Sequence, residues 1–173
     1  MEKMITKYFW RLGQAFEAAP LPLTILVECD TGAGRCGVQT PKAALELAEK
    51  ISHISGLIFG GLMTYPAANG SKDAAQFMRD TKQLLGAKGI VCPVVSSGGS
   101  PDMWNATTAG IITEYRIGTY IYNDRSLVQR GTCTWGECAG HVLATVVSIP
   151  TPDRAIIDAG SKVLTSDLLG FSD

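Results

Sequence analysis

Two spacings of apolar residues take turns along the first part of the chain. Ile5, Phe9, Leu12, Phe16 and Ala19 recur at three to four residues and predict a helix over residues 3–19, closed by Pro20 and Pro22. Residues 23–29, Leu-Thr-Ile-Leu-Val-Glu-Cys, form a mostly apolar run of the kind a buried parallel strand carries. Thr40 followed by Pro41 is a good helix start, and Ala44, Leu47, Ala48 and Ile51 continue one face through residue 53. A second apolar strand is predicted over 57–63 and a turn-rich loop over 65–71. A third helix follows over 72–85, with Ala75, Met78, Lys82 and Leu85 on its inner face. Residues 90–95 read as a third strand, 96–101 as a Gly/Ser loop, 101–109 as a short helix and 111–116 as a fourth strand.

This rhythm of helix and strand is a β/α crossover series with right-handed connections. Residues 118–124 read as a loop or strand edge. After about Ser126 the pattern changes: 138–148 is β-branched, Pro150 and Pro152 interrupt it, and 154–158 resumes it. That tail predicts antiparallel strands of a second domain. The fold class expected is therefore α/β, a partial (β/α)8 TIM-type barrel over residues 1–125 followed by the start of an antiparallel β-domain over 126–173. Four β/α strands cannot close a barrel of eight, so the chain reads as part of a longer protein.

Composition narrows the partners. In 173 residues, 15 Lys+Arg against 16 Asp+Glu leave a net charge of −1, which argues against nucleic acid as a partner. Hydrophobic residues make up 46% and charged residues 18%, so the chain is neither disordered nor supercharged. No apolar run is long enough to span a membrane. Five cysteines, an odd number at irregular spacing, point to a reducing, cytoplasmic compartment. Cys133 and Cys138, with His141 three residues on, lack the second ligand pair of a zinc site.

Several segments can carry chemistry because they follow predicted strands and so stand at the carboxyl edge of the sheet. The first is Glu28-Cys29-Asp30-Thr31-Gly32-Ala33-Gly34-Arg35-Cys36-Gly37, where Arg35 offers a planar donor fork; its alternative is a tight loop with Arg35 paired to Asp30. The second is Ser96-Ser97-Gly98-Gly99-Ser100-Pro101, whose backbone N–H groups and hydroxyls can cradle a phosphate; its alternative is a flexible turn with Ser100 as a helix cap. In the third, Arg116 can face the same rim, and Gly118 and Thr119 add anion donors. Tyr115, Tyr120 and Tyr122 lie close in sequence there, and at least one is expected to pack on the sheet with its hydroxyl satisfied. Tyr65 stands just past a strand end, either to stack on a planar ring or to cover the core. Lys162 can be read as a nucleophile or as a solvated side chain.

The blocks VECDTGAGRCGV, GLMTY, VVSSGGSPDMW, ITEYRIGTYIYND and AIIDAGSKVLTSD, in this order, resemble the D-threonine aldolase and D-serine dehydratase family of fold-type III pyridoxal phosphate (PLP) enzymes, related to alanine racemases. The resemblance runs from about Leu12 to Asp167. It implies a PLP-binding barrel with a β-domain behind it, and a homodimer in full-length form. It places Arg35 on the phenolic oxygen side of the ring and Tyr65 near the position of the racemases' ring-stacking histidine. It makes Ser97, Gly98, Gly99 and Ser100 phosphate ligands, closed by Gly118 and Thr119. It sets Arg116 against the pyridine nitrogen, with Tyr120 as the alternative there. Arg35, Tyr65 and Arg116 are the catalytic residues expected on this basis. Asp158, Gly160, Ser161 and Lys162 are expected to support the second domain and the dimer.

The activity implied is that of a PLP-dependent lyase acting on a small-molecule substrate, a β-hydroxy-D-amino acid. D-threonine aldolase-like Cα–Cβ cleavage gives glycine and an aldehyde; the alternatives are a D-serine dehydratase-like lyase and a non-catalytic PLP-binding or assembly fragment. The family's cofactor-anchoring lysine lies upstream of these blocks, and its divalent metal (Zn or Mn) is held near the C-terminus of the β-domain. Both are expected to fall outside this chain, and no metal ligand is assigned within it.

Overall fold

The computed structural model describes residues 2–67, 69–106 and 110–164, and the chain divides into two compact units, Met1–Ile117 and Gly118–Asp173. The first unit holds a four-stranded parallel sheet in the order β1-β2-β3-β4, made of Leu23–Cys29 (β1), Leu57–Thr64 (β2), Val94–Gly98 (β3) and Glu114–Arg116 (β4). Helices α1 (Glu2–Phe16), α2 (Pro41–Ser52) and α3 (Ser71–Ala87) alternate with the strands. This is the α/β architecture expected, a parallel sheet with helices followed by an antiparallel pair of strands.

The core lies where the helices meet the sheet. Ala44, Ala48 and Ile51 of α2 and Met78 and Leu85 of α3 are buried with Val27, Cys29, Phe59, Leu62 and Val95 of the strands. Thr40 caps α2 by accepting from the Ala43 N–H at 3.1 Å, and Pro41 opens it. On α3 the inner position predicted for Lys82 belongs to Thr81. The lysine is exposed, whereas the threonine hydroxyl is fully buried and donates to the Phe77 carbonyl at 2.8 Å. A hydroxyl can be satisfied by the preceding turn; an ammonium cannot be buried there without a partner.

One glycine pair sets the phase of β2. Ile25 stands opposite Phe59 and Leu26 opposite Gly61, so Gly60 is an extra residue in β2. Leu57 and Phe59 face the helices before it, and Leu62 and Thr64 do so after it. Without the insertion the two-residue period would turn Leu62 to the other face. The site tolerates no side chain: a Cβ on Gly60 would lie 2.3 Å from Thr24 Cγ2, and one on Gly61, at φ +137°, would lie 2.0 Å from the Val94 carbonyl oxygen. Register then aligns Glu28, Met63, Ser96 and Glu114 across all four strands on the face turned from the helices.

Three expectations are corrected. The strand predicted over 90–95 starts only at Val94 and runs through Gly98, into the predicted 96–101 loop. Pro93 has no N–H to give a ladder, so pairing begins behind it. The strand predicted over 111–116 shrinks to Glu114–Arg116 because the Thr113 side chain bonds the Val95 backbone: its Oγ1 accepts from the Val95 N–H at 2.9 Å. Ile111 and Ile112 pack against the core instead. The predicted 101–109 helix is a 3-10 segment, Ser100–Asn105, and residues 107–109 lie outside the described residues.

In the second unit, 118–124 holds a 3-10 turn, Thr119–Ile121, rather than a strand edge. A short helix α4 (Arg125–Gln129) follows, unpredicted although Asp124 is a good cap: its Oδ1 accepts from the Leu127 N–H at 3.0 Å. A further 3-10 turn, Trp135–Glu137, carries a capping box between Thr134 and Glu137. The predicted tail is an antiparallel hairpin of β5 (Val146–Thr151) and β6 (Arg154–Ile157). Most of 138–148 stays outside it, and Pro150 is part of β5 rather than its interruption. A two-stranded ribbon has an open side on each strand, where a missing N–H costs no ladder bond. Asp158 closes the base of the hairpin, accepting from the Thr145 N–H at 2.8 Å. The sequence block ending at Asp167 runs into residues 165–167, which lie outside the described residues.

Two predictions follow from this packing. Gly61→Ala is expected to destabilise the protein by roughly 3 kcal/mol, since its Cβ meets backbone and its φ is strained; urea denaturation measures it, and a loss near zero contradicts the bulge. Burial, then Cys92 and Glu28 nearby, push the Cys29 thiol from its ordinary 9.0 up to about 12. The native state therefore holds this proton more tightly than the unfolded state, so its contribution is complete below pH 9 and is lost as pH rises from 9 towards 12. Cys29→Ala is expected to flatten that part of the stability–pH curve.

Candidate functional site

Polar groups gather where β1, β2, β3 and β4 end. Arg116, in β4, donates from Nη2 to the Thr64 carbonyl at the end of β2, 3.0 Å away, and from Nη1 to the Ser96 hydroxyl in β3. Ser96 in turn donates to Oε1 of Glu114, its register partner. Ser96 and Thr64 are fully buried. The Thr64 hydroxyl shares a 2.8 Å hydrogen bond with Thr31 of the loop after β1, so the chain of contacts crosses the whole rim.

That loop is built on Asp30. Its carboxylate accepts from the Gly32 and Gly34 N–H groups at 3.1 and 3.0 Å and from Gln39 at 3.2 Å. These bonds, Gln39 foremost, hold the Asp30 carboxyl below its ordinary range. Arg35 is not paired with Asp30, the alternative the sequence allowed. It donates to Glu28 Oε1 at 3.3 Å, which also accepts from the Cys36 thiol at 3.2 Å. The Arg35 guanidinium lies 5.0 Å from the centroid of the Tyr65 ring, so the cation already faces that ring.

The tip of Tyr65 rests on Gly99. A Cβ on Gly99, whose φ is +120°, would sit 3.2 Å from Tyr65 Cζ. The Gly99 N–H is given to the Arg116 carbonyl at 3.0 Å, and its carbonyl accepts from the Tyr115 hydroxyl at 3.1 Å. The predicted packing role for a tyrosine thus falls to Tyr115. Burial, then Asp102 and Tyr65, push its phenol up. Asp102 itself accepts from Ser71 at the start of α3. Gly98 pairs with Arg116 so closely that a Cβ would meet the Arg116 carbonyl oxygen at 2.5 Å.

The structure brings together Arg35, Tyr65, Gly98, Gly99 and Arg116 at this rim. Ser97 pairs with Tyr115 in the ladder, and Ser100 is buried as the first residue of the 3-10 segment. Ser100 is not the cap the sequence allowed; Gly99 holds that position, with no side-chain bond. Gly118, Thr119 and Tyr120 belong to the second unit, where Gly118 precedes the Thr119–Ile121 turn and Tyr120 is exposed. Lys162 is exposed in the same unit. Sequence reasoning gave no role of their own to Glu28, Ser96 and Glu114, although they lie in the segments it singled out, and it missed Thr64. The VVSS and TEYR blocks contain Ser96 and Glu114, but only the register of β3 on β4 makes them partners.

A planar, anionic cofactor fits these residues at the Arg116 guanidinium. The Cβ positions of Gly98 and Gly99 are taken up by the Arg116 carbonyl and the Tyr65 ring, so these glycines let the chain itself close on the rim. Arg116 keeps further N–H donors beyond the two it has given. Among the described residues, no group of three or more His, Cys, Asp or Glu could hold a metal ion.

Comparison with known proteins gives the same stretch a lineage. Residues 7–126 match the family described as alanine racemase, N-terminal domain, and residues 139–172 match a putative serine dehydratase domain. A D-threonine aldolase of Arthrobacter sp. is 33% identical over 91% of this chain and 45% of its own length. A 3-hydroxy-D-aspartate aldolase of Paracoccus denitrificans (strain Pd 1222) is 30% identical over 90% of this chain and 45% of its own. The solved structure of D-threo-3-hydroxyaspartate dehydratase from Delftia sp. HT23 superposes with a TM-score of 0.73 at 26% identity, covering 94% of this chain and 46% of that one. The chain thus spans about half the length of the curated relatives it matches.

The seat of Tyr65 is open to test. Gly99→Ala is expected to cost about 1–3 kcal/mol through its strained φ and the displaced ring. Adding Tyr65→Ala is expected to recover part of that cost, so the double variant loses less than the sum of the singles in urea denaturation. Strict additivity would mean that the ring and Gly99 do not press on each other.

Proposed function

Because the chain belongs to the family of alanine racemase N-terminal domains, among the fold-type III PLP enzymes, we propose that it forms the cofactor-holding rim of a D-threonine aldolase-like lyase acting on β-hydroxy-D-amino acids. The observation that carries this reading is the Arg116 guanidinium, held across three strand ends beside Gly98 and Gly99. PLP, when bound, supplies the electron sink for breaking a bond at the substrate α-carbon. In this reading Arg116 donates an N–H to the pyridine nitrogen and, being always charged, leaves that nitrogen unprotonated. Arg35, kept in place by Glu28, serves the phenolic oxygen, and Tyr65 orients the ring. Ser97, Gly98, Gly99 and Ser100 receive the phosphate.

Residues 1–125 are proposed as the partial barrel and 126–173 as the beginning of the β-domain, in line with the two family matches. The reading includes a homodimer in the cytoplasm; in support of that compartment, all five cysteines are free thiols. Among the described residues no helix is long and apolar enough to cross a membrane. A divalent metal, Zn or Mn, belongs to the proposed activity, and no residue of this chain is assigned to it.

The dehydratase outcome is the second reading, favoured by the match of residues 139–172. Water is eliminated from the substrate and taken up again as the resulting imine hydrolyses, so the products are a 2-oxo acid and ammonia in place of glycine and an aldehyde. PLP titration of the purified chain, read by tryptophan quenching, is expected to saturate, and Arg116→Ala to weaken binding about tenfold. Incubation with D-threonine, PLP and Mn²⁺ then separates the readings: aldehyde supports the aldolase, 2-oxo acid the dehydratase, and binding without turnover a non-catalytic PLP-binding fragment. No saturation overturns all three.

A further inference from the structure

The resemblance and the comparisons give no role to Ser96, yet it is the most constrained polar residue of the rim. It is fully buried, its oxygen accepts from Arg116 Nη1, and its proton goes to Glu114 Oε1. A hydroxyl has one proton and can rotate. Here the direction is decided by its neighbours: a guanidinium can only donate and an ionised carboxylate can only accept. The three residues therefore form a chain of fixed polarity, Arg116 to Ser96 to Glu114. The second nitrogen, Nη2, is tied to the Thr64 carbonyl at 3.0 Å.

A guanidinium rotates about its Nε–Cζ and Cζ–Nη bonds unless both ends are held. Two acceptors on different strands, one on each Nη, stop that rotation and fix which N–H groups remain free. Glu114 adds a charge opposite to that of Arg116, linked through one oxygen atom. Its strand position is two residues before Arg116, so both alternate to the same face of β4, and Ser96 is its register partner in β3.

We propose that Ser96, with Glu114 behind it, is a positioning residue that locks the Arg116 guanidinium with its remaining N–H groups turned toward the ring nitrogen of a bound pyridine cofactor. This rests on the PLP reading above and adds the residues that aim the arginine. Neither Ser96 nor Glu114 needs to touch the cofactor.

The test combines nitrogen-15 NMR of the arginine side chains with PLP titration, on the full 173-residue chain. Arg116→Lys identifies the Arg116 signal. In the unaltered chain, the two Nη nitrogens of Arg116 are expected to remain distinct. Ser96→Ala and Glu114→Ala are each expected to speed guanidinium rotation about fivefold, the factor that loss of one hydrogen bond supplies, and to weaken PLP binding by a similar factor. Ser96→Thr and Glu114→Gln, which keep an acceptor or hydroxyl in place, are expected to restore both. Glu114 is exposed, so its variants test the chain of bonds even where a change at buried Ser96 unfolds the protein. Unchanged rotation in Glu114→Ala and Ser96→Ala overturns the proposal. Faster rotation with unchanged PLP affinity also overturns it, by leaving the pair a purely structural role. An unaltered chain with no saturable PLP binding overturns the PLP reading and, with it, the aim toward a cofactor; the rotation rates still decide the Ser96–Glu114 hold on Arg116.

Discussion

The carboxyl ends of β2, β3 and β4 meet on one guanidinium. Arg116 reaches from β4 to the buried Ser96 hydroxyl of β3 and to the Thr64 carbonyl of β2. Thr64 passes the connection to Thr31 and so to the loop after β1. Charge-assisted bonds of this kind are short and strong because the donor is ionised. They also satisfy a buried hydroxyl and a strand-end carbonyl that would otherwise carry a desolvation cost. The polar rim is therefore a continuation of the sheet, and its geometry depends on the sheet register being correct.

Register depends in turn on glycine. The extra residue at Gly60 and the tight backbone at Gly61 move β2 by one position part-way along, so that Leu62 enters the core while Met63 joins Glu28, Ser96 and Glu114 on the other face. At the far end of β3, Gly98 and Gly99 allow the backbone to lie against Arg116 and Tyr65. Helix α2 presses on one face of this sheet through small residues, Ala44 and Ala48, which lets it lie close to the strands. Core, bulge and rim are parts of one constraint. Apolar packing holds the sheet, glycine sets its phase, and phase decides which polar residues meet.

The rim carries two arginines with different kinds of support. Arg116 is held by neutral acceptors, with Glu114 one hydroxyl away. Arg35 bonds Glu28 directly and lies over the Tyr65 ring. Asp30, the carboxylate nearer to Arg35 in sequence, is committed to the backbone of its own loop and shapes it. Tyr65 is fixed between a cation and a glycine, which makes it a wall of the site. The second unit is built differently, from short turns with side-chain caps and a two-stranded hairpin whose valines and isoleucines remain largely exposed. A ribbon of two strands gains little stability from its own pairing.

Most of the fold was legible in the sequence because periodicity reports which face of an element is buried. The helices α1 to α3, the strands β1 and β2 and the second strand of the closing hairpin all have apolar spacing of the right kind. Arg35, Tyr65 and the Gly98–Gly99 pair were legible too, as chemistry-bearing residues placed just after strands. The exchange of Lys82 for Thr81 was not, since both fit the spacing and only burial separates an ammonium from a hydroxyl. Nor was the late start of β3 and β4, where Pro93 and the Thr113 side chain override an apolar run. Ser96 and Glu114 are eighteen residues apart in the chain, and neither has a local signature. The sequence by itself determined the order of elements and the residue types available at the strand ends. Only the tertiary structure decided which of them touch, because contact across parallel strands depends on register, and register is settled by the packing of the whole sheet.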